Sequence, residues 1–106
     1  MNEDAVFRAL ADASRRQLLD RLHQRNGQTL NELCEGLQMT RQAVAKHLAI
    51  LEAGNLVATR REGRTKLHYL NPVPINDIAE RWIGKFELPR LRALAQLRKQ
   101  LEEDPS

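Results

Sequence analysis

Hydrophobic positions in the first half of the chain recur at the three- and four-residue spacing of helices. Short polar stretches and glycines interrupt the pattern several times. It therefore predicts four short helices before residue 54. Their apolar faces are Val6, Phe7 and Leu10 in the first, Leu18, Leu19 and Leu22 in the second, Leu30, Leu33 and Leu37 in the third, and Val44, Leu48 and Leu51 in the fourth.

The starts of three of these helices are marked by side chains that can bind free backbone N–H groups. Ser14 with Gln17, and Thr29 with Glu32, match the capping-box pattern. Thr40 can cap the fourth helix, a contribution of about 1 kcal/mol. Because only a tight turn separates the third helix from the fourth, the pair is predicted to be a helix-turn-helix.

The pattern changes after Gly54, which ends the fourth helix. Residues 56–61 (LVATRR) and 64–70 (RTKLHYL) are strand-like and flank Glu62-Gly63. A two-residue loop with glycine second suits a primed hairpin turn. A helix-turn-helix followed by a hairpin predicts a winged helix, in which the hairpin is the wing.

After Pro72 and Pro74, apolar residues again recur at helical spacing, and Pro89 is expected to break or kink this segment. This C-terminal part has more apolar surface than a small winged helix needs to cover itself, and a dimer would bury it. Its apolar positions are Ile75, Ile78, Ala79, Trp82, Phe86, Leu91, Leu94, Leu97 and Leu101.

The predicted fold class is therefore mainly α with a small β-hairpin, a winged helix-turn-helix that is dimeric through its terminal helices. The 106 residues suffice for one domain with a modest core. We assign residues 1–106 to that domain. The recognition helix is expected at about 40–53, the wing at about 56–70 and the dimerisation helices at about 75–103.

Basic charge is concentrated in the recognition helix and wing. Residues 41–66 contain six basic and two acidic side chains, a local charge of +4 that exceeds the total of +3. The simplest register would set Arg61 opposite Arg64 and Thr59 opposite Lys66. Opposed like charges are destabilising. The cluster of cationic side chains on the hairpin is therefore explained if a polyanion neutralises it. The alternative is a hairpin that merely aids solubility.

In a helix-turn-helix, the N-terminal part of the second helix meets base edges in the major groove. Glutamine can pair with adenine, and lysine or arginine with guanine, through two hydrogen bonds each. The wing cations would hold phosphates or enter the neighbouring minor groove. The predicted base-reading residues are Thr40, Arg41, Gln42, Ala45 and Lys46, and the predicted wing contacts are Arg60, Arg61, Arg64 and Lys66.

No arrangement of residues indicates catalysis, so the chain is predicted not to be an enzyme and to need no cofactor. His23, His47 and His68 are too far apart in sequence for a zinc motif. His47 is expected to pack or cap, and Cys34 to be a small core residue. Trp82 could help form a ligand pocket, although core or interface packing is commoner.

The chain is expected to be cytoplasmic, with no membrane partner. Its single cysteine, Cys34, excludes an internal disulfide and suits a reducing compartment. No apolar run approaches the roughly 20 residues that cross a bilayer. The acidic start of the chain does not resemble a signal peptide.

Several stretches resemble the ArsR/SmtB family of bacterial winged-helix repressors. They are Ala-Asp-Ala-Ser-Arg-Arg at 11–16, Val-Ala-Lys-His-Leu at 44–48, Glu-Ala-Gly at 52–54 and Arg-Glu-Gly-Arg at 61–64. The resemblance implies a homodimer joined through its first and last helices, on an operator with two half-sites, repressing transcription and often its own operon. The interface residues that we expect are Val6, Phe7, Leu10, Ile78, Trp82, Phe86, Leu91 and Leu94.

The resemblance also bears on base reading and on sensing. Family base contacts would fall on Gln42, Ala45 and Lys46, with Ala45 replacing a common serine. Metal-responsive members have thiolates where this chain has Thr29 and Asn31.

The last helix of other members contributes Asp and His ligands to a metal. Here that helix has Asp77 and Glu80, and no histidine follows His68. The chain thus resembles the branch without metal sites, and its effector is unknown. Two alternatives remain: a metal- or redox-sensing repressor that uses Cys34, and a winged helix that binds an acidic protein partner.

Overall fold

The computed structural model describes residues 2–86 and 88–103, which form two compact units, one ending at Ile75 and one beginning at Asn76. Mainly helical structure with one two-stranded antiparallel hairpin confirms the predicted mainly α class with a small β-hairpin, whereas the predicted dimer stays a prediction. The elements are α1 (Glu3–Leu10), α2 (Ala13–Gln24), α3 (Leu30–Cys34), α4 (Arg41–Ala53), β1 (Val57–Glu62), β2 (Thr65–Leu70), α5 (Val73–Phe86) and α6 (Leu88–Glu103).

The core of the first unit lies where α1, α2 and α3 pack against α4, and the hairpin closes it against α2, α3 and α4. The predicted apolar faces of α2 and α4 are buried as expected. The face of α1 differs, because Val6 and Ala9 are buried whereas Phe7 is 46% exposed. The other core side chains are Leu18, Leu19, Leu22, Leu33, Val44, Leu48, Leu51, Leu56 and Val57.

The helix caps confirm two predictions and correct a third. Thr29 and Glu32 form a complete capping box on α3, and the Thr40 hydroxyl accepts a hydrogen bond from the Ala43 N–H at 3.1 Å. The predicted cap at Ser14 is wrong. Asp12 caps α2 instead, accepting from the N–H groups of Ser14 and Arg15 at 2.8 and 3.2 Å.

Gly54 ends α4 as predicted, but its role is close packing. The residue in the left-handed region is Asn55, with a φ of 60°, whereas Gly54 has a φ of −81°. A Cβ atom on Gly54 would lie 3.1 Å from the carbonyl oxygen of Ala5 and 3.4 Å from the Cβ of Ala9. Glycine therefore allows the end of α4 to approach α1.

The hairpin is present, but its turn and register differ from the simple prediction. The loop is Gly63-Arg64, with Gly63 at a φ of 63°, as the first position of a type II′ turn requires. Arg61 therefore pairs with Lys66, and Thr59 pairs with His68. Like charges are still opposed, but the pair is not Arg61 with Arg64.

In the second unit, Pro89 lies within α6. Because α6 begins at Leu88, Pro89 lies in its first turn, where the backbone N–H it lacks would have no helical partner. Among the helices of the described residues, none is long and apolar enough to cross a membrane.

The two acidic cap residues predict a loss of stability in acid. The Arg15 backbone N–H, followed by that of Ser14, lowers the pKa of Asp12 below 3.8, and the Thr29 backbone N–H does the same for Glu32 below 4.5. A carboxyl with a lowered folded-state pKa stabilises fully above its unfolded-state pKa, and the effect is lost as pH falls through the folded-state value. We expect the free energy of unfolding to fall as pH drops below about 4.5.

Urea unfolding followed by circular dichroism between pH 7 and pH 3 measures this effect. The double variant Asp12→Asn/Glu32→Gln keeps groups that can hydrogen-bond but removes both titrations. Its stability should fall less steeply than that of the wild type. Parallel curves for the two proteins would show that these caps do not cause the acid sensitivity.

Candidate nucleic-acid interface

The outer face of α4 is exposed at every position predicted to read bases. Val44, Leu48 and Leu51 turn inward to the core, which fixes the rotation of the helix. The exposed residues at its N-terminal end are Thr40, Arg41, Gln42, Ala45 and Lys46.

The wing is held in place from its inner end. His68 is 4% exposed, and its Nδ1 lies 2.9 Å from the carbonyl oxygen of Gln28. That oxygen also accepts from the His68 backbone N–H at 2.8 Å, and the His68 carbonyl accepts from the Gly27 N–H at 2.9 Å. The buried Gln28 side chain in turn donates to the carbonyls of Arg21 and Arg25. The hairpin therefore has a fixed base, from which its basic end projects.

The predicted wing cations do not all share one face. Lys66 and Arg61 are opposite each other, so they lie on the same face of the hairpin, two residues along from buried His68. Arg60 pairs with Leu67 and lies on the other face. Arg64 is in the turn. All four side chains are exposed, but Arg60 points away from the others.

A groove of about 450 Å³ lies between α4 and the wing, and we call it the α4–wing groove. Arg41 and Ala45 line it from α4, and Arg64 and Lys66 line it from the wing. Two predicted contacts from α4 and two from the wing therefore meet on one flank of the first unit. Gln42 and Lys46 are exposed on the neighbouring stripe of α4.

An acidic side chain also lines this groove. Glu52, about two turns beyond Ala45 on α4, lies with its Oε1 3.6 Å from the Nζ of Lys66. Sequence analysis missed the contact, although the spacing of Arg41, Ala45, Leu48 and Glu52 is that of one helical stripe. Lys66 thus forms an ion pair with Glu52.

Arg15 of α2 contacts both α1 and α4 and was also missed. Its Nε donates to the Ala9 carbonyl and its Nη2 to the Arg8 carbonyl, each at 2.9 Å. Its Nη1 lies 3.4 Å from the Nδ1 of His47. His47 is half-buried, so the predicted packing role is confirmed. Nothing in the sequence spacing signals this long-range contact.

The predicted interface residues fall into three groups. Val6 is fully buried inside its own unit, so assigning it to a dimer interface is wrong. Leu10 and Ile78 are half-buried. The side chain of Phe86 lies outside the described part of the chain. The exposed members are Phe7, Trp82, Leu91 and Leu94, and Ile83 and Leu97 are exposed as well.

Three residues considered for sensing, Thr29, Asn31 and Cys34, lie on α3 or at its cap. Cys34 ends α3 and is partly exposed. The prediction that it is a core residue is therefore wrong. Thr29 uses its hydroxyl to accept the Glu32 N–H at 3.2 Å. Over residues 2–86 and 88–103, no three His, Cys, Asp or Glu side chains group closely enough to hold a metal ion.

Comparison with known proteins agrees with this geometry. A helix-turn-helix domain model matches residues 10–60. The uncharacterized HTH-type transcriptional regulator YuzN of Bacillus subtilis is 42% identical over 88 residues, which cover 77% of this chain and 96% of the relative. The transcriptional repressor SdpR of the same species is 28% identical, over 76% of this chain and 88% of its own.

Among solved structures, an ArsR-like transcriptional regulator from Rhodococcus sp. RHA1 superposes with a TM-score of 0.71. It is 31% identical, and the match covers 92% of this chain and 90% of that one. The likeness therefore extends through the wing and beyond the part that the domain model matches.

Proposed function

We propose that this chain, which belongs to the ArsR family of DNA-binding transcriptional regulators, represses transcription as a homodimer bound to an operator with two half-sites. The observation that carries the proposal is the α4–wing groove, where Arg41 and Ala45 of the recognition helix meet Arg64 of the wing. A helix that reads bases and a hairpin that holds phosphates must act on one duplex, and this groove lies between them.

Each part of the groove has its own task in this proposal. Gln42 and Lys46, exposed beside the groove, form paired hydrogen bonds with purine edges in the major groove. Ala45 leaves room for close approach and contacts a thymine methyl group. Arg61 and Arg64 bind phosphates beside the major groove, which fixes register without reading sequence. Thr40 and Arg41 contact the DNA at the start of α4.

The homodimer is proposed because apolar side chains of α1, α5 and α6 are exposed in a single chain. Trp82 is 44% exposed and Leu94 62% exposed, and Phe7 adds an aromatic ring on α1. Covering such side chains is favourable by about 25 cal/mol for each Å² of apolar surface. A two-fold dimer would carry two recognition helices to half-sites one helical turn apart.

Repression without a metal effector completes the proposal. A repressor bound at its own operon would block transcription by occupying the operator, and the relative SdpR is itself named a repressor. Thr29 and Asn31 offer no thiolate, and the Thr29 hydroxyl already caps α3. We therefore expect DNA binding to be the same in chelator and in added zinc.

Sedimentation and footprinting test the proposal together. The chain should sediment as a dimer, and hydroxyl-radical footprints on an operator selected from a random duplex pool should show two protected patches roughly 10 base pairs apart. A reporter driven from that operator should fall in output when the chain is expressed. A single protected patch with a monomeric protein would contradict the dimer, and activation of the reporter would contradict repression.

A further inference from the structure

We propose that Glu52 holds Lys66 away from DNA phosphates and so weakens the binding of this protein to any duplex. The Glu52 carboxylate lies 3.6 Å from the Lys66 ammonium, across the α4–wing groove. Glu52 is the one acid among the described residues that line this groove, whereas Arg41, Arg64 and Lys66 are its cations. An acid at this place both repels a phosphate and competes with it for the lysine.

Folding stability does not explain the pair. The Glu52 side chain is 31% exposed and the Lys66 side chain 45% exposed, and ion pairs so open to water contribute little to stability. The hairpin is already anchored by the hydrogen bonds between His68 and Gln28. The contact therefore acts mainly on the charge that the groove offers to an approaching duplex.

The inference rests on the proposed function and refines it. Phosphate contacts provide nearly all of the affinity for random DNA, whereas an operator is also held by base contacts from α4. With Lys66 paired to Glu52, the wing has one fewer cation for phosphates. Binding to random DNA is weakened, and binding to the operator falls by the same factor, because the base-reading residues Gln42 and Lys46 keep their contacts.

Salt titrations on a random-sequence duplex test this directly. Glu52→Gln frees Lys66 and should add one phosphate contact per chain. The slope of log affinity against log salt should then steepen by about 0.9 per chain, or about 1.8 for a dimer. The ratio of affinities at 50 and 200 mM salt should therefore increase about 12-fold over that of the wild type.

Two further variants make the result specific. Glu62→Gln makes the same charge change at the end of β1, where the residue opposite is Thr65, and it should leave the slope nearly unchanged. Glu52→Gln/Lys66→Gln has the wild-type net charge and should restore the wild-type slope. Thermal melts establish that all the variants are folded, as expected for exposed or half-exposed positions.

Three results would overturn the inference. The first is an unchanged slope in Glu52→Gln, and the second is an equal steepening in Glu62→Gln. The third is a double variant whose slope is shallower than the wild-type slope, because Lys66 would then already bind phosphate in the wild type. A wild-type protein that binds neither operator nor random DNA would instead overturn the proposed function.

Discussion

Replacing Gln42 by alanine is expected to weaken operator binding by about 1–3 kcal/mol at each half-site, while affinity for random DNA stays nearly the same. Gln42 is exposed in the first turn of α4, beside the α4–wing groove. Its amide can make two hydrogen bonds to adenine, and alanine can make none. With two recognition helices on one operator, the two losses combine.

Gel shifts on the selected operator and on a random duplex measure the two affinities. Gln38→Ala is the matched control, since Gln38 is an exposed glutamine in the turn before α4 and has no predicted base contact. Equal weakening on both DNAs by Gln42→Ala would mean that this residue does not read sequence.

Replacing Arg64 by glutamate is expected to weaken binding to every duplex. Arg64 lies in the turn of the wing and lines the α4–wing groove. Losing one phosphate contact per chain removes about 0.9 from the salt slope, or about 1.8 for a dimer. If the wild type and the variant bind DNA equally near 1 M salt, this change of slope corresponds to a roughly 200-fold loss of affinity at 50 mM.

Arg60→Glu is the matched control for the wing. It makes the same charge reversal on the same hairpin, but Arg60 lies on the face opposite Arg61 and Lys66. Fluorescence anisotropy over a range of salt concentrations gives the slope for each variant. An equal change of slope in both variants would indicate that the total charge of the wing matters, and not the face turned to α4.

The recognition helix could be predicted from the sequence because local rules decide it. Val44, Leu48 and Leu51 follow the helical period, Thr40 is a strong cap and Gly54 ends the helix. No feature of the tertiary structure opposes these signals. The capping box of Thr29 and Glu32 was predicted correctly for the same reason.

The wing register was mispredicted because the alternation of apolar and polar residues along the strands is compatible with both registers. Pairing Arg61 with Lys66 instead of Arg64 moves the partner by two residues, which leaves every side chain on the same face. Primed turns accept glycine at either central position, so Gly63 does not select between the two loops. The register follows from the Gly63-Arg64 loop that the hairpin adopts.

The errors at α1 and α2 have comparable causes. Ala9 contributes little to a hydrophobic pattern, but its small side chain packs close to Gly54, so α1 buries Val6 with Ala9. Phe7 therefore lies outside the core and is exposed. At α2, Asp12 and Ser14 both suit a cap, and Asp12 is the one that accepts two N–H groups. The contacts of Arg15 and Glu52 depend on tertiary packing alone.

The measurement that tests the central claim most directly is a salt titration of Gln42→Ala and Arg64→Glu in parallel, on operator and on random DNA. If the α4–wing groove is one surface with two tasks, Gln42→Ala should lower the ratio of operator to random affinity at an unchanged slope. Arg64→Glu should flatten both slopes at an unchanged ratio. Slopes and ratios that match the wild type in both variants would show that DNA binds elsewhere on the protein.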